Sequence, residues 1–162
     1  LDGVGLAGRQ GDGRGALVDG GGGSYPRRVT LGLDGGRLAM LLAVLHRHGG
    51  VALHDMDVYV NVVGGLKISE PAADLAVLAA AHSSLRGVAI PRDVVVMGEV
   101  GLAGELRPVA NGEARLKAAQ QHGFKQVILP EANRPRASAT MRGLKIHAVA
   151  TLAAALDVLT SL

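Results

Sequence analysis

The sequence predicts a single α/β (α+β) domain with a mixed sheet and a buried central helix. Three observations carry this. Runs of β-branched residues alternate with stretches of helical periodicity, neighbouring strand-like runs recur in pairs, and the apolar residues are almost wholly aliphatic. Of 162 residues 48% are hydrophobic but only three are aromatic, so Ala, Val, Leu and Ile must build the interior. A chain of this length can bury about two-thirds of its unfolded surface in one core, and no internal repeat divides it.

The elements follow in order. Residues 1–24 contain ten glycines, including Gly20 to Gly23. Glycine loses most backbone entropy on ordering, so this reads as a flexible leader with a candidate edge strand at Ala16, Leu17 and Val18. The folded domain is expected over residues 25–162. Arg28 to Leu33 alternates as a strand, and Asp34 is placed to cap a helix carrying Leu38, Leu41, Leu42 and Leu45 on one face, closed by Gly49 and Gly50. Asp57 to Val63 reads as a strand, and Leu66 to Ile68 as another short one. Ser69, Glu70 and Pro71 form a helix start, with Ser69 as the cap. The helix that follows, about Pro71 to Arg86, is apolar nearly all round and is the expected central helix.

Val94 to Met97 is a strand, and Val100 to Val109 holds two apolar segments broken at Ala103–Gly104, as in a hairpin or meander. A helix over Gly112 to His122 stops at Gly123. Val127 to Leu129 is a strand, residues 133–142 form a basic loop, Leu144 to Val149 is a last strand, and Thr151 caps a closing helix.

Composition removes several classes of function. There is no cysteine, which excludes disulfides, thiolate zinc sites and a cysteine nucleophile, and which suits a reducing cytoplasm. No apolar run is long enough for a membrane span and no signal peptide is evident. The pI of 9.7 accompanies a formal charge of only +3, so nucleic-acid binding is permitted rather than demanded. With only Tyr25, Tyr59 and Phe124 as aromatics, any DNA contact would be electrostatic rather than stacked.

Sites for chemistry are few. The chain lacks the GK[ST] of a phosphate-binding P-loop, and its glycine-rich leader carries no lysine. His46 and His48 are two apart on a helix and face apart, no HExxH occurs, and His54 with Asp55 and Asp57 reads as a solvated loop, so no metal is expected. A serine nucleophile needs a base to take its proton. Ser24, Ser69, Ser83, Ser84, Ser138 and Ser161 are the candidates, and of these Ser69 alone lies near a helix start, where capping explains it.

Four stretches, in order and with matching spacing, carry a family resemblance: residues 37–46 (RLAMLLAVLH), 63–74 (VGGLKISEPAAD), 98–108 (GEVGLAGELRP) and 123–130 (GFKQVILP). Together they resemble the C-terminal Lon-protease-like domain of the RadA (Sms) family of bacterial DNA-repair proteins, over about residues 26 to 160. Residues 1–15 match nothing in it. In the related Lon peptidase domain the motif Asp-Gly-Pro-Ser-Ala-Gly sets the nucleophilic serine at the start of the buried helix. Here residues 69–74 read SEPAAD, which puts Ala72 at the serine position. Continuing without gaps, the resemblance places Arg115 on the catalytic lysine and Met97 on the threonine of Lon's Thr-Gly-Glu, and turns two flanking glycines into Glu70 and Asp74.

The resemblance thus implies a domain that does not cleave peptides. Ala72 offers no attacking oxygen, a guanidinium stays protonated and cannot act as base, and two carboxylates would repel a forming oxyanion. Arg115 is expected either to pair with Glu70 or Asp74 across the site or to face DNA. The resemblance further implies a parent protein with a zinc-binding segment and a RecA-like, DNA-dependent ATPase that promotes branch migration in homologous recombination and the repair of DNA damage. ATP, Mg and Zn belong to those other domains, and no cofactor is expected here. What this chain would supply is a ring-shaped homo-oligomer, expected as a hexamer, and a weak surface for single-stranded or branched DNA, with a RecA-type recombinase met through the intact protein. Arg37, Lys67, Arg86, Arg107, Arg115 and Lys117 are the candidate DNA contacts. Two alternatives stay open: a residual serine peptidase using Ser69 with Lys67 or Lys117, and a module that only docks another protein.

Overall fold

The computed structural model describes residues 15–20, 25–62, 67–136 and 141–162. They form three small sheets and four α-helices. In the first sheet a central strand β3 (Met56–Asn61) is flanked by β1 (Gly15–Gly20), antiparallel to it, and β2 (Arg28–Leu31), parallel to it. Val18 is buried in the core, and the Val18 N–H on the outer edge of β1 donates to Ser84 Oγ at 3.0 Å. The strand anticipated at Ala16 to Val18 therefore runs for six residues and packs with the domain that the sequence places from residue 25.

Helix α1 (Gly35–His48) begins at Asp34, whose carboxylate accepts from the Arg37 N–H at 2.8 Å. That satisfies one of the donors a helix start leaves open. Leu38, Leu41, Leu42, Val44 and Leu45 are its buried residues. Gly49 ends it where a Cβ would stand 2.6 Å from the Leu45 carbonyl oxygen, and Gly50 follows at φ +66°. Each buried leucine removes enough apolar surface from water to contribute about 2 kcal/mol.

Helix α2 (Asp74–Arg86) is the central helix, with residues 74–81 buried without interruption. It packs on α1 and β1 and also on α4 (Leu152–Ser161) and β4 (Val94–Val96), so its first two turns leave no stripe for water. Its start differs from the sequence expectation. A 3-10 turn, Pro71–Ala73, precedes it, Glu70 occupies the capping position, and no side chain caps the turn or the helix. Ser69 is exposed one residue too early, because proline at the first position of the turn fixes where it begins.

The second sheet is all parallel, in the order β4 (Val94–Val96), β7 (Gln126–Pro130), β8 (Lys145–Val149). Strands β4 and β7 are apolar on both faces: Val94, Val96 and Ile128 join the larger core around α1, α2 and α4, while Val95, Val127 and Leu129 join a second cluster under α3 (Gly112–Gln121). Between them β5 (Glu99–Val100) and β6 (Leu106–Arg107) form a small hairpin turning at Gly104, φ +78°. Thr151 Oγ1 caps α4 (Leu152–Ser161) by accepting from the Ala154 N–H at 3.2 Å. Glu131–Asn133 is a 3-10 turn that takes in Asn133, the first residue of the expected basic loop, and residues 137–140 of that loop lie outside the described residues. Most of the leader, Leu66 and Ser138 lie outside the described residues, as does Ser24, whereas Ile68 bridges to Leu33.

Candidate functional site

The start of α2 is the point where both cores meet. Ala72 is buried in the second cluster together with Met97 and Leu116, the neighbour of Arg115. The backbone holds them in place: the Gly98 N–H donates to the Ala72 carbonyl at 2.9 Å, the Leu75 N–H to the Gly98 carbonyl at 3.0 Å, and the Met97 N–H to the Ile128 carbonyl at 3.0 Å. Gly98 is packed closely, since a Cβ there would lie 3.3 Å from Leu75 Cδ2 and 3.4 Å from Pro130 Cγ. Thus Ala72, Met97 and Arg115, 43 positions apart in the chain from first to last, occupy one neighbourhood.

Two arginine–carboxylate pairs flank Ala72. On one side the Arg115 guanidinium reaches across to Glu70 and also donates through Nε to the Ala110 carbonyl at 2.8 Å, with only 12% of its side chain exposed. On the other, Asp74 is 3% exposed and accepts from Arg37 Nε at 2.8 Å and from a second Arg37 nitrogen at 2.6 Å. Its other oxygen accepts the Val100 N–H at 3.2 Å. Burial pushes the Asp74 carboxyl above its ordinary range, while Arg37 and the Val100 N–H pull the other way. The pairing of Arg115 with a flanking carboxylate, one of the two options open from sequence, is met by Glu70. Asp74 is taken by Arg37, a partner 37 residues away that no local pattern pointed to.

The six candidate DNA contacts divide accordingly. Arg37 and Arg115 are committed beside Ala72, and Arg107 lies against Glu105 at 2.9 Å and Glu99 at 3.7 Å on the hairpin. All three are therefore ion-paired in this structure. Lys67, Arg86 and Lys117 are exposed and form no ion pair among the described residues. Arg86 borders a shallow groove of about 430 Å³ with His82 and Asp157. Burial and then the charge of Arg86 hold His82 below its ordinary range.

Other side chains that sequence left open find ordinary partners. Ser83 Oγ donates to the Val88 carbonyl and Ser84 Oγ accepts from β1. His54 meets Asp55 at 3.0 Å, but Asp57 turns to the Arg27 N–H, and among the described residues no three metal-ligating side chains converge. Asn133, which sequence did not single out, makes a two-way bond with the Val109 backbone at 2.8 and 3.0 Å and so fixes the loop leading into α3 and Arg115. No helix among the described residues is long and apolar enough to cross a membrane.

Comparison with known proteins shows the family. The family model for the Lon protease (S16) C-terminal proteolytic domain matches residues 46–160. DNA repair protein RadA of Pseudomonas aeruginosa is 57% identical over 144 residues, 89% of this chain and 31% of that protein. RadA of Escherichia coli is 53% identical over 147 residues, 91% of this chain and 32% of that protein, and RadA of Aquifex aeolicus is 43% identical over 134 residues, 83% and 29%. The chain spans about a third of the length of the curated relatives it matches. It therefore belongs to the Lon protease (S16) C-terminal proteolytic domain family, and within it matches the C-terminal region of bacterial DNA repair protein RadA.

Proposed function

We propose that this domain cleaves no peptide bond and serves a RadA-type, DNA-dependent ATPase as an assembly and DNA-contacting scaffold in the cytoplasm. In this reading the domain closes into a ring, expected as a hexamer, and sets the ATPase subunits around single-stranded or branched DNA during branch migration. The carrying observation is the pair of ion pairs around Ala72. The residues standing where the family's chemistry would need a hydroxyl, a neutral amine and small flanking groups are instead a methyl group, a guanidinium bonded to Glu70, and a buried carboxylate bonded to Arg37. A group already bonded as a cation cannot withdraw a proton, and carboxylates at that place oppose an oxyanion. Of the six candidate cations, Lys67, Arg86 and Lys117 are the ones left to meet phosphate.

Three measurements on the same preparation test this. Casein hydrolysis and labelling by a fluorophosphonate should both be absent. Light scattering should give a mass several times that of one 16.5 kDa chain. Affinity for duplex and single-stranded DNA should fall steeply with salt, as counterion release requires. Hydrolysis abolished by Ser69→Ala would overturn the reading in favour of a working peptidase. A ring that binds no DNA at low salt would leave a docking module.

A further inference from the structure

Outside this site, positive charge gathers at the end of the parallel sheet where its strands begin. Three loops meet there in strand order: residues 91–93 before β4, 122–125 before β7 and 141–144 before β8, whose first residue is Lys145. Backbone bonds lock them together. The Lys125 and Gln126 N–H groups both donate to the Asp93 carbonyl, at 2.8 and 3.1 Å, and the Lys145 N–H donates to the Lys125 carbonyl at 2.8 Å. Gln120, on the last turn of α3, donates to the Arg142 carbonyl at 2.6 Å. Arg92, Lys125, Arg142 and Lys145 are all exposed, and none is ion-paired among the described residues. Asp93 is the one carboxylate on the three loops. By contrast, the arginines around Ala72 and on the hairpin are each neutralised by a carboxylate.

Resting on the scaffold reading above, we propose that Arg92, Lys125, Arg142 and Lys145 form a phosphate-backbone contact surface for DNA at the strand-start end of the parallel sheet. A molecule with a formal charge of only +3 has placed four cations, unpaired among the described residues, against one acid on an edge tied by main-chain bonds. The three loops are anchored by main-chain bonds, so little order is lost when a polyanion binds. His147, next along β8 on the face of Lys145, is bonded to Gln126 at 2.9 Å and held below its ordinary pKa by burial and then by Lys145. It adds no charge at neutral pH, which leaves four. Phe124, the one aromatic residue on the three loops, is half-buried against the second core cluster rather than free to stack on a base, which fits a backbone read without sequence preference.

The test compares the full chain with Arg92→Gln/Lys125→Gln/Arg142→Gln/Lys145→Gln, and separately with Lys67→Gln/Arg86→Gln/Lys117→Gln, by anisotropy titration on labelled duplex DNA at several salt concentrations. Each lost phosphate contact lowers the slope of log affinity against log salt by about 0.9, so the edge variant should lose about 3 to 4 from the slope. The double variant Lys125→Gln/Lys145→Gln, at two exposed side chains, should lose about 2 and guards against a misfolded quadruple variant. If the wild-type chain binds DNA and the edge variants keep its slope, the edge is wrong while the scaffold reading stands. If the wild type binds no DNA even at low salt, both fall. Equal weakening of binding to polyglutamate, with the DNA slope unchanged, would make the edge a dock for acidic protein and overturn the proposal.

Discussion

Replacing Arg37 by leucine tests whether the carboxylate beside Ala72 is there for structure. Asp74 is 3% exposed, and Arg37 supplies two of the three bonds described above. Without Arg37 a buried carboxylate keeps one backbone donor. Breaking one half of a buried pair costs about 3–5 kcal/mol. Two features reduce this here. Arg37 is itself 26% exposed, so the pair is partly solvated, and Asp74 can escape by taking a proton. Protonating a carboxyl of ordinary pKa 3.8 costs roughly 4 kcal/mol at pH 7 and roughly 1.6 kcal/mol at pH 5, at about 1.36 kcal/mol per pH unit. The expected loss for Arg37→Leu is therefore about 2–4 kcal/mol at pH 7 and under about 2 kcal/mol at pH 5, read from urea denaturation.

The sign follows from proton linkage. A raised native pKa means that the native state binds more protons than the unfolded state above pH 3.8, so stability falls as pH rises through that window. Removing Arg37 extends the fall to higher pH, and Asp74→Asn abolishes it. A loss at pH 7 below about 0.5 kcal/mol, or the same loss at both pH values, would refute the reasoning.

Three further outcomes are expected. Ala72→Ser/Arg115→Lys should leave casein hydrolysis undetectable, because Glu70 would hold the new ammonium as a cation; measurable turnover would show that the pair does not silence the site. Gly104→Ala should cost about 2 kcal/mol in urea denaturation, since φ is +78° and the added Cβ would fall 2.8 Å from His48 Cβ; a neutral result would mean that the hairpin moves freely against α1. Ser84→Ala removes the acceptor of the Val18 N–H and should cost about 1 kcal/mol, speeding amide exchange in β1 several-fold while the centre of α2 stays protected; unchanged exchange at Val18 would show that β3 alone holds the strand.

Local signals in the sequence placed most of the fold. The 3.6-residue spacing of Leu38, Leu41, Leu42 and Leu45 defined α1 and its buried face, and Asp34 and Thr151 marked two helix starts because a side-chain oxygen beside an apolar run has one good use there. The unbroken alanine-rich run identified α2 as central, and the four family stretches pointed to the family that the comparisons show. Ser69 misled because a serine before a proline reads as a cap, whereas a 3-10 turn set by Pro71 moves the start by one residue.

Only the tertiary structure decided which charges meet. Residue type told that Arg37, Arg107 and Arg115 were cations, but an ion pair between positions 37 and 74 or 70 and 115 depends on how helices cross, which no short-range pattern encodes. The same holds for Arg92, Lys125, Arg142 and Lys145. They are spread over 54 positions and look like solvated charges one at a time, until parallel strand pairing brings three strand starts to one edge. Hydrophobic periodicity is written along the chain because burial acts on each residue separately. Charge pairing is a relation between distant residues, and only the folded backbone sets the distance.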